Sequence, residues 1–175
     1  VPVNATSVPL TEDYRHDLDG MLKAITPKTK IVVITNPNNP TGTLLSFEEI
    51  ERFVNAVPKE VIIVIDEAYI HFGRDLNYQR AMPLAMTNDN VIVIRTFSKA
   101  YGMAAMRVGY AVCSQAIQQK LSFYMTTGFP PVLPLVAVEA TAKDLYHLRR
   151  SQQVVWAFQD RCYEEFDKLG LEYIP

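Results

Sequence analysis

Little in this sequence points to a metal, a disulfide or a membrane. Two cysteines, Cys113 and Cys162, are too few for a disulfide framework and lack zinc-ligand spacing. The three histidines, His16, His71 and His147, are dispersed, so no metal site is expected. Neither sign of charge is in excess: 17 Lys and Arg stand against 19 Asp and Glu, a net charge of −2. Such a balance gives no broad positive field for nucleic acid or an anionic membrane surface. Apolar runs such as Ile31 to Ile34 and Val61 to Ile65 fall far short of the roughly 20 residues that cross a bilayer. The first residues carry neither the basic start nor the apolar centre of a signal peptide. A Gly-x-Gly-x-x-Gly loop and a Walker loop are also missing, which removes the main case for nucleotide binding. The expectation is a soluble, cytoplasmic protein whose partner is a small molecule.

What is present is enough apolar sequence to bury a core: 49% of 175 residues are hydrophobic and 21% charged. Short β-branched runs at Lys30 to Thr35, Val61 to Ile65, Val91 to Ile94 and Val108 to Val112 alternate with helical patterns. The first three are apolar at nearly every position, which predicts strands of a parallel sheet covered on both faces. An α/β fold follows, three layers deep with a mostly parallel sheet at its centre. Ser46-Phe47-Glu48-Glu49 reads as a capping box, opening a helix with Ile50, Phe53 and Val54 on one face and ending near Pro58. The segment from Asp66 to Val91 predicts a looser crossover with one short helix. The fourth run follows Lys99 too closely for a helical crossover, so it is expected to run antiparallel. Helices are then expected from about Gln115 to Tyr124 and Leu133 to Lys143, separated by a turn at Gly128 to Pro131. A long amphipathic helix from about His147 is expected to present Val154, Val155, Phe158, Cys162 and Phe166 on one face. Gly170 is placed to end it.

In a parallel α/β sheet, ligands bind beyond the carboxyl ends of the strands. Polar residues cluster there: Asn39 after the first strand, Asp66 and Tyr69 after the second, and Thr96, Ser98 and Lys99 after the third, with Arg107 before the fourth. Asp66, at the end of five apolar residues, needs a hydrogen-bonding or positive partner. It can cap a following helix or keep a ring nitrogen protonated. Lys99 is either an exposed loop lysine or an amine made nucleophilic by partial desolvation and a nearby cation. Arg107 carries a planar fork of donors that suits phosphate, and Thr96 and Ser98 add hydroxyls. Tyr69 is either a half-buried aromatic or a phenol facing a ligand. Glu67 is read as serving the local turn, and Arg149-Arg150 as a solvated face.

The series Asn38-Asn39-Pro40-Thr41-Gly42, Asp66-Glu67-Ala68-Tyr69 and Thr96-Phe97-Ser98-Lys99 through Arg107-Val108-Gly109-Tyr110 resembles the signature of pyridoxal-phosphate aminotransferases of the aspartate aminotransferase fold. Val8 to Thr11, Asp17 to Asp19 and Asn36 to Gly42 look most like the histidinol-phosphate aminotransferases. The resemblance implies pyridoxal 5'-phosphate as cofactor, attached at Lys99, with Asp66 on the pyridine nitrogen. Asn39 and Tyr69 would contact the phenolic oxygen, and Arg107, Thr96 and Ser98 the phosphate. Pro40 is expected to follow a cis peptide bond. The activity implied is transfer of an amino group between an amino acid and a 2-oxo acid or phosphorylated ketone, by a homodimer. A threonine-phosphate decarboxylase and a non-catalytic binding module are the alternatives. Residues 1–146 would then be part of the large domain, 147–170 a helix leading toward a small domain, and 171–175 the start of that domain. A full-length relative would be about twice as long, so the chain is expected to bind cofactor weakly and be poorly active by itself.

Overall fold

The computed structural model describes residues 4–74, 81–124 and 131–175. A four-stranded sheet forms its centre, with β1 (Ile31–Thr35), β2 (Ile62–Asp66), β3 (Val91–Thr96) and β4 (Gly109–Cys113) in that spatial order. The pairs β1·β2 and β2·β3 are parallel, and β3·β4 is antiparallel, as the short link after Lys99 predicts. Register sets the polar ends together: Thr35 lies opposite Asp66, Asp66 opposite Ile94, and Thr96 opposite Gly109. One rim of the sheet therefore carries the carboxyl ends of β1, β2 and β3 and the amino end of β4.

Alternation along the strands divides the apolar residues between two faces. Ile34, Ile63, Ile65, Val91 and Val93 are buried against Ile50, Phe53 and Val54 of α2 (Phe47–Ala56) and Leu84 and Ala85 of α3 (Met82–Thr87). The capping box at Ser46 is formed: its hydroxyl accepts from the Glu49 N–H, and the Glu49 carboxylate accepts from the Ser46 N–H. A short helix that the sequence reading did not anticipate, α1 (Leu18–Ala24), is opened by the Asp17 carboxylate. Its residues Leu18, Met21 and Leu22 pack partly on the same core. On the opposite face, Ile62, Val64, Ile92 and Ile94 are only half-buried. Ile31 and Val33 there are 59% and 54% exposed. Among the described residues, the second face is thus less covered than the first.

After β4 come α4 (Gln115–Tyr124), α5 (Val132–Lys143) and α6 (Leu145–Leu169). The expected turn at Gly128 to Pro131 lies mostly outside the described residues. Gly170 takes a left-handed conformation, φ 64°, and its N–H bonds back to Asp167 and Phe166 carbonyls, ending α6 as expected. The packed face of α6 differs from the expected stripe. Val155, Cys162 and Phe166 are half-buried, but Val154 and Phe158 are exposed. The helix is rotated because polar groups dock it: Gln152 donates to the His71 carbonyl, and the Trp156 indole N–H to the Phe72 carbonyl at 2.8 Å. Arg74 adds an ion pair to Asp160 at 2.6 Å.

Candidate active site

The loop leaving β1 is shaped by a buried amide. Asn36 donates to the Leu45 carbonyl at 3.1 Å and accepts from the Leu45 N–H at 2.8 Å, closing the intervening loop as a backbone bridge would. Within it, the Asn38 N–H bonds to the Thr43 carbonyl and the Gly42 N–H to the Asn38 carbonyl. Gly42 adopts φ +76°, a conformation that penalises side chains. The cis peptide expected before Pro40 is present, and a second precedes Pro37. This frame presents Asn39, whose amide nitrogen lies 3.5 Å from the Tyr69 hydroxyl.

Tyr69 follows β2 at the start of a 3-10 turn, residues 70–72. The Lys99 ammonium stands over its ring, 5.1 Å from the centroid, a range in which a cation is attracted to the aromatic face. The structure therefore brings Asn39, Tyr69 and Lys99 together from three strand ends. Lys99 is exposed, so the desolvation expected of it does not come from the described chain. Among the described residues no carboxylate forms an ion pair with Lys99, and Asp66 and Lys99 make no direct contact as an ion pair.

Asp66 caps the following turn: one carboxylate oxygen accepts from the Ala68 N–H at 2.9 Å. Its second oxygen has no hydrogen-bonding partner among the described residues. Thr96 shapes the next loop, accepting from the Ser98 N–H at 3.0 Å and directing its own proton toward the Val108 carbonyl at 3.4 Å. An anion would compete for that proton. The Ser98 hydroxyl has no protein partner among the described residues. Arg107 is exposed at φ 52°, in the left-handed region, with one guanidinium nitrogen 2.9 Å from the Ala104 carbonyl. The rest of its fork is not engaged by the described residues.

Sequence reasoning did not single out the Asn36 clamp or Arg95. Arg95 is buried on the core face and ion-paired to Glu67, which does more than serve a local turn. The signal was there: in Val91-Ile92-Val93-Ile94-Arg95, the arginine shares the face of Val91 and Val93, so it must find a buried counter-charge.

Residues 2–175 match the family model for aminotransferase class I and II. The chain is 41% identical over 177 residues to a histidinol-phosphate aminotransferase of Moorella thermoacetica, a match covering 98% of this chain and 44% of that protein. It is 39% identical to an aromatic amino acid aminotransferase of Cutibacterium acnes, over 96% of this chain and 48% of that one. Its fold superposes with a TM-score of 0.83 and 28% identity on a Sinorhizobium meliloti histidinol-phosphate aminotransferase solved in complex with pyridoxal-5'-phosphate, covering 97% of this chain and 46% of that one. The chain spans about half the length of the curated relatives it matches. With its α/β sheet, its polar strand-end rim and a sequence match along nearly its whole length, this chain belongs to the class I and II aminotransferases.

Proposed function

We propose that this chain is the cofactor-binding part of a pyridoxal-phosphate aminotransferase of the histidinol-phosphate type, moving an amino group between an amino acid and a 2-oxo acid or phosphorylated ketone. The observation that carries the reading is the Lys99 ammonium over the Tyr69 ring, with the Asn39 amide beside the phenol, on the rim where parallel strands end. In this reading residues 1–146 belong to the large domain, 147–170 to the helix leading out of it and 171–175 to the start of a small domain. The full-length protein acts as a cytoplasmic homodimer. A second substrate class, aromatic 2-oxo acids, is supported by the relatives named aromatic amino acid aminotransferases at similar identity. Decarboxylation and a purely binding role have less support, since the relatives above are named aminotransferases.

The donor set fits a phosphorylated aromatic aldehyde. Among the described residues it offers an amine without a carboxylate partner, a carboxylate with one oxygen in reserve, a phenol with an amide at its hydroxyl, and a guanidinium and a hydroxyl with capacity left. When bound, the cofactor supplies an electron sink for bonds at the amino-bearing carbon of the substrate. Asp66 would hold a proton on the ring nitrogen. Tyr69, oriented by Asn39, would hydrogen-bond the phenolic oxygen, and Arg107 with Ser98 and Thr96 would neutralise the phosphate. Nζ of Lys99 would hold the cofactor and would take and return the proton at the substrate's amino-bearing carbon.

Covalent trapping tests the reading. The chain is mixed with pyridoxal phosphate, reduced with borohydride and mapped by peptide mass spectrometry. Label is expected on Lys99 and is expected to vanish in Lys99→Ala. Label spread over surface lysines, unchanged in that variant, would refute the assignment. For the full-length protein, rates with histidinol phosphate against aromatic amino acids separate the two substrate classes.

A further inference from the structure

Directly beneath the proposed cofactor rim, on the core face of the sheet, lies an ion pair that the chemistry above does not use. Glu67 and Arg95 have side chains 0% and 2% exposed, with one Arg95 nitrogen 2.5 Å from a Glu67 oxygen. The Arg95 Nε donates to the same oxygen at 2.7 Å. The other Glu67 oxygen accepts from the Ala81 N–H at 2.7 Å. One carboxylate thus ties three segments: the exit of β2, the last residues of β3 and the start of α3. Its backbone is held too, since the Glu67 N–H bonds to the Ile94 carbonyl and the Glu67 carbonyl accepts from the Ile70 N–H.

Stability alone gives a weak reason for such a pair. Desolvating two charges costs about as much as their attraction returns, and apolar residues of similar volume often serve as well or better. Position gives a stronger one. Glu67 is the neighbour of Asp66, and Arg95 the neighbour of Thr96, so strand alternation sends the proposed cofactor contacts to one face and the ion pair to the other. Tyr69 lies two residues beyond Glu67 and Lys99 four beyond Arg95. Burial pushes the Arg95 guanidinium down, but the charge and hydrogen bond of Glu67, with a smaller contribution from Tyr110, more than reverse this.

We infer that Glu67 and Arg95 are positioning residues, a clasp that fixes the ends of β2 and β3 relative to each other so that Asp66 and Tyr69 face Lys99 at the separation a pyridine ring requires. The inference rests on the functional reading above. Its role is indirect: neither side chain reaches the rim.

The test separates positioning from stability with the double variant Glu67→Leu/Arg95→Met, which removes both charges and fills the space with apolar atoms. Its melting temperature is expected to fall only modestly, by the loss of the acceptor for the Ala81 N–H. Its affinity for pyridoxal phosphate, read by absorbance titration, is expected to fall by about tenfold or more, with a shifted pH midpoint for the bound absorption band. In the cofactor-free chain, amide hydrogen exchange at Ala68, whose N–H the Asp66 carboxylate holds, is expected to quicken. A folded double variant with parental affinity, pH midpoint and Ala68 exchange would overturn the inference. Should the double variant fail to fold, Glu67→Asp decides: it keeps the charge but is one methylene too short to hold Ala81 and Arg95 together. A folded Glu67→Asp chain is expected to show the same loss of affinity, and parental affinity in it would overturn the clasp. Failure of the functional reading is seen separately, as a parental chain that takes up no label at Lys99.

Discussion

Replacing Asn36 with alanine is expected to weaken this fold more than any other single amide loss on the rim. The side chain is 0% exposed and Leu45, its partner, 3% exposed. Two of its hydrogen bonds, at 2.8 and 3.1 Å, satisfy both the N–H and the carbonyl of Leu45. Alanine leaves both groups buried without that partner, at about 1–3 kcal/mol each, for a sum of about 2–6 kcal/mol. Water entering the vacated space would bring the cost toward the lower end. Domains of this size hold about 5–15 kcal/mol in total, so the loss is a large share. With a urea m-value of about 1–3 kcal/mol/M, the unfolding midpoint should fall by about 0.7 M or more at unchanged m. Asn36→Asp is the discriminating control. It retains an acceptor for the Leu45 N–H but sets a charged oxygen against the Leu45 carbonyl, so it should be as damaging at neutral pH and milder in acid, where a protonated carboxyl donates. A loss below about 0.5 kcal/mol in Asn36→Ala, at equal m, would show that the amide does not hold the loop and would refute the reasoning.

Other consequences are open to the same denaturant and thermal assays. Phe53, among the largest fully buried side chains, should cost about 3–5 kcal/mol on truncation to alanine, and a loss under 1 kcal/mol would contradict the core assignment. Gly109→Ala places a methyl 2.6 Å from the Arg95 carbonyl oxygen, a backbone atom that cannot swing away. A cost of about 1–3 kcal/mol is expected, and an unchanged melting temperature would mean β3 and β4 pair less closely than described. Burial pushes the Glu49 carboxyl up, but the hydrogen bond from Arg15, the Ser46 N–H and the Arg15 charge together hold it below its ordinary value of 4.5. Its folded value being depressed, the stabilisation is complete above that ordinary value and is lost as pH falls through the lowered one. Glu49→Gln should therefore flatten the acid limb of stability against pH, and an identical limb in the variant would remove Glu49 from the account.

The sequence by itself determined most of the elements and their order, α1 excepted. β-branched runs marked the four strands, the capping box placed α2, and Gly170 ended α6, because each is a local preference written in a few adjacent residues. The length of the link after Lys99 determined that β4 runs antiparallel, since no crossover fits in it. That Asn39, Asp66, Tyr69 and Lys99 lie at strand ends, with Arg107 before β4, was legible because a carboxyl-end rim follows from parallel strands in order, while their roles came only from the family resemblance. Tertiary structure decided what depends on partners distant in the chain. Glu67 found its counter-charge 28 residues away at Arg95, Asn36 found a backbone partner at Leu45, and α6 turned Val154 and Phe158 to solvent because polar groups on the 3-10 turn held a neighbouring stripe. Local pattern can announce that a buried charge or amide needs a partner. Which group answers is settled only when register and packing bring the two within hydrogen-bonding distance.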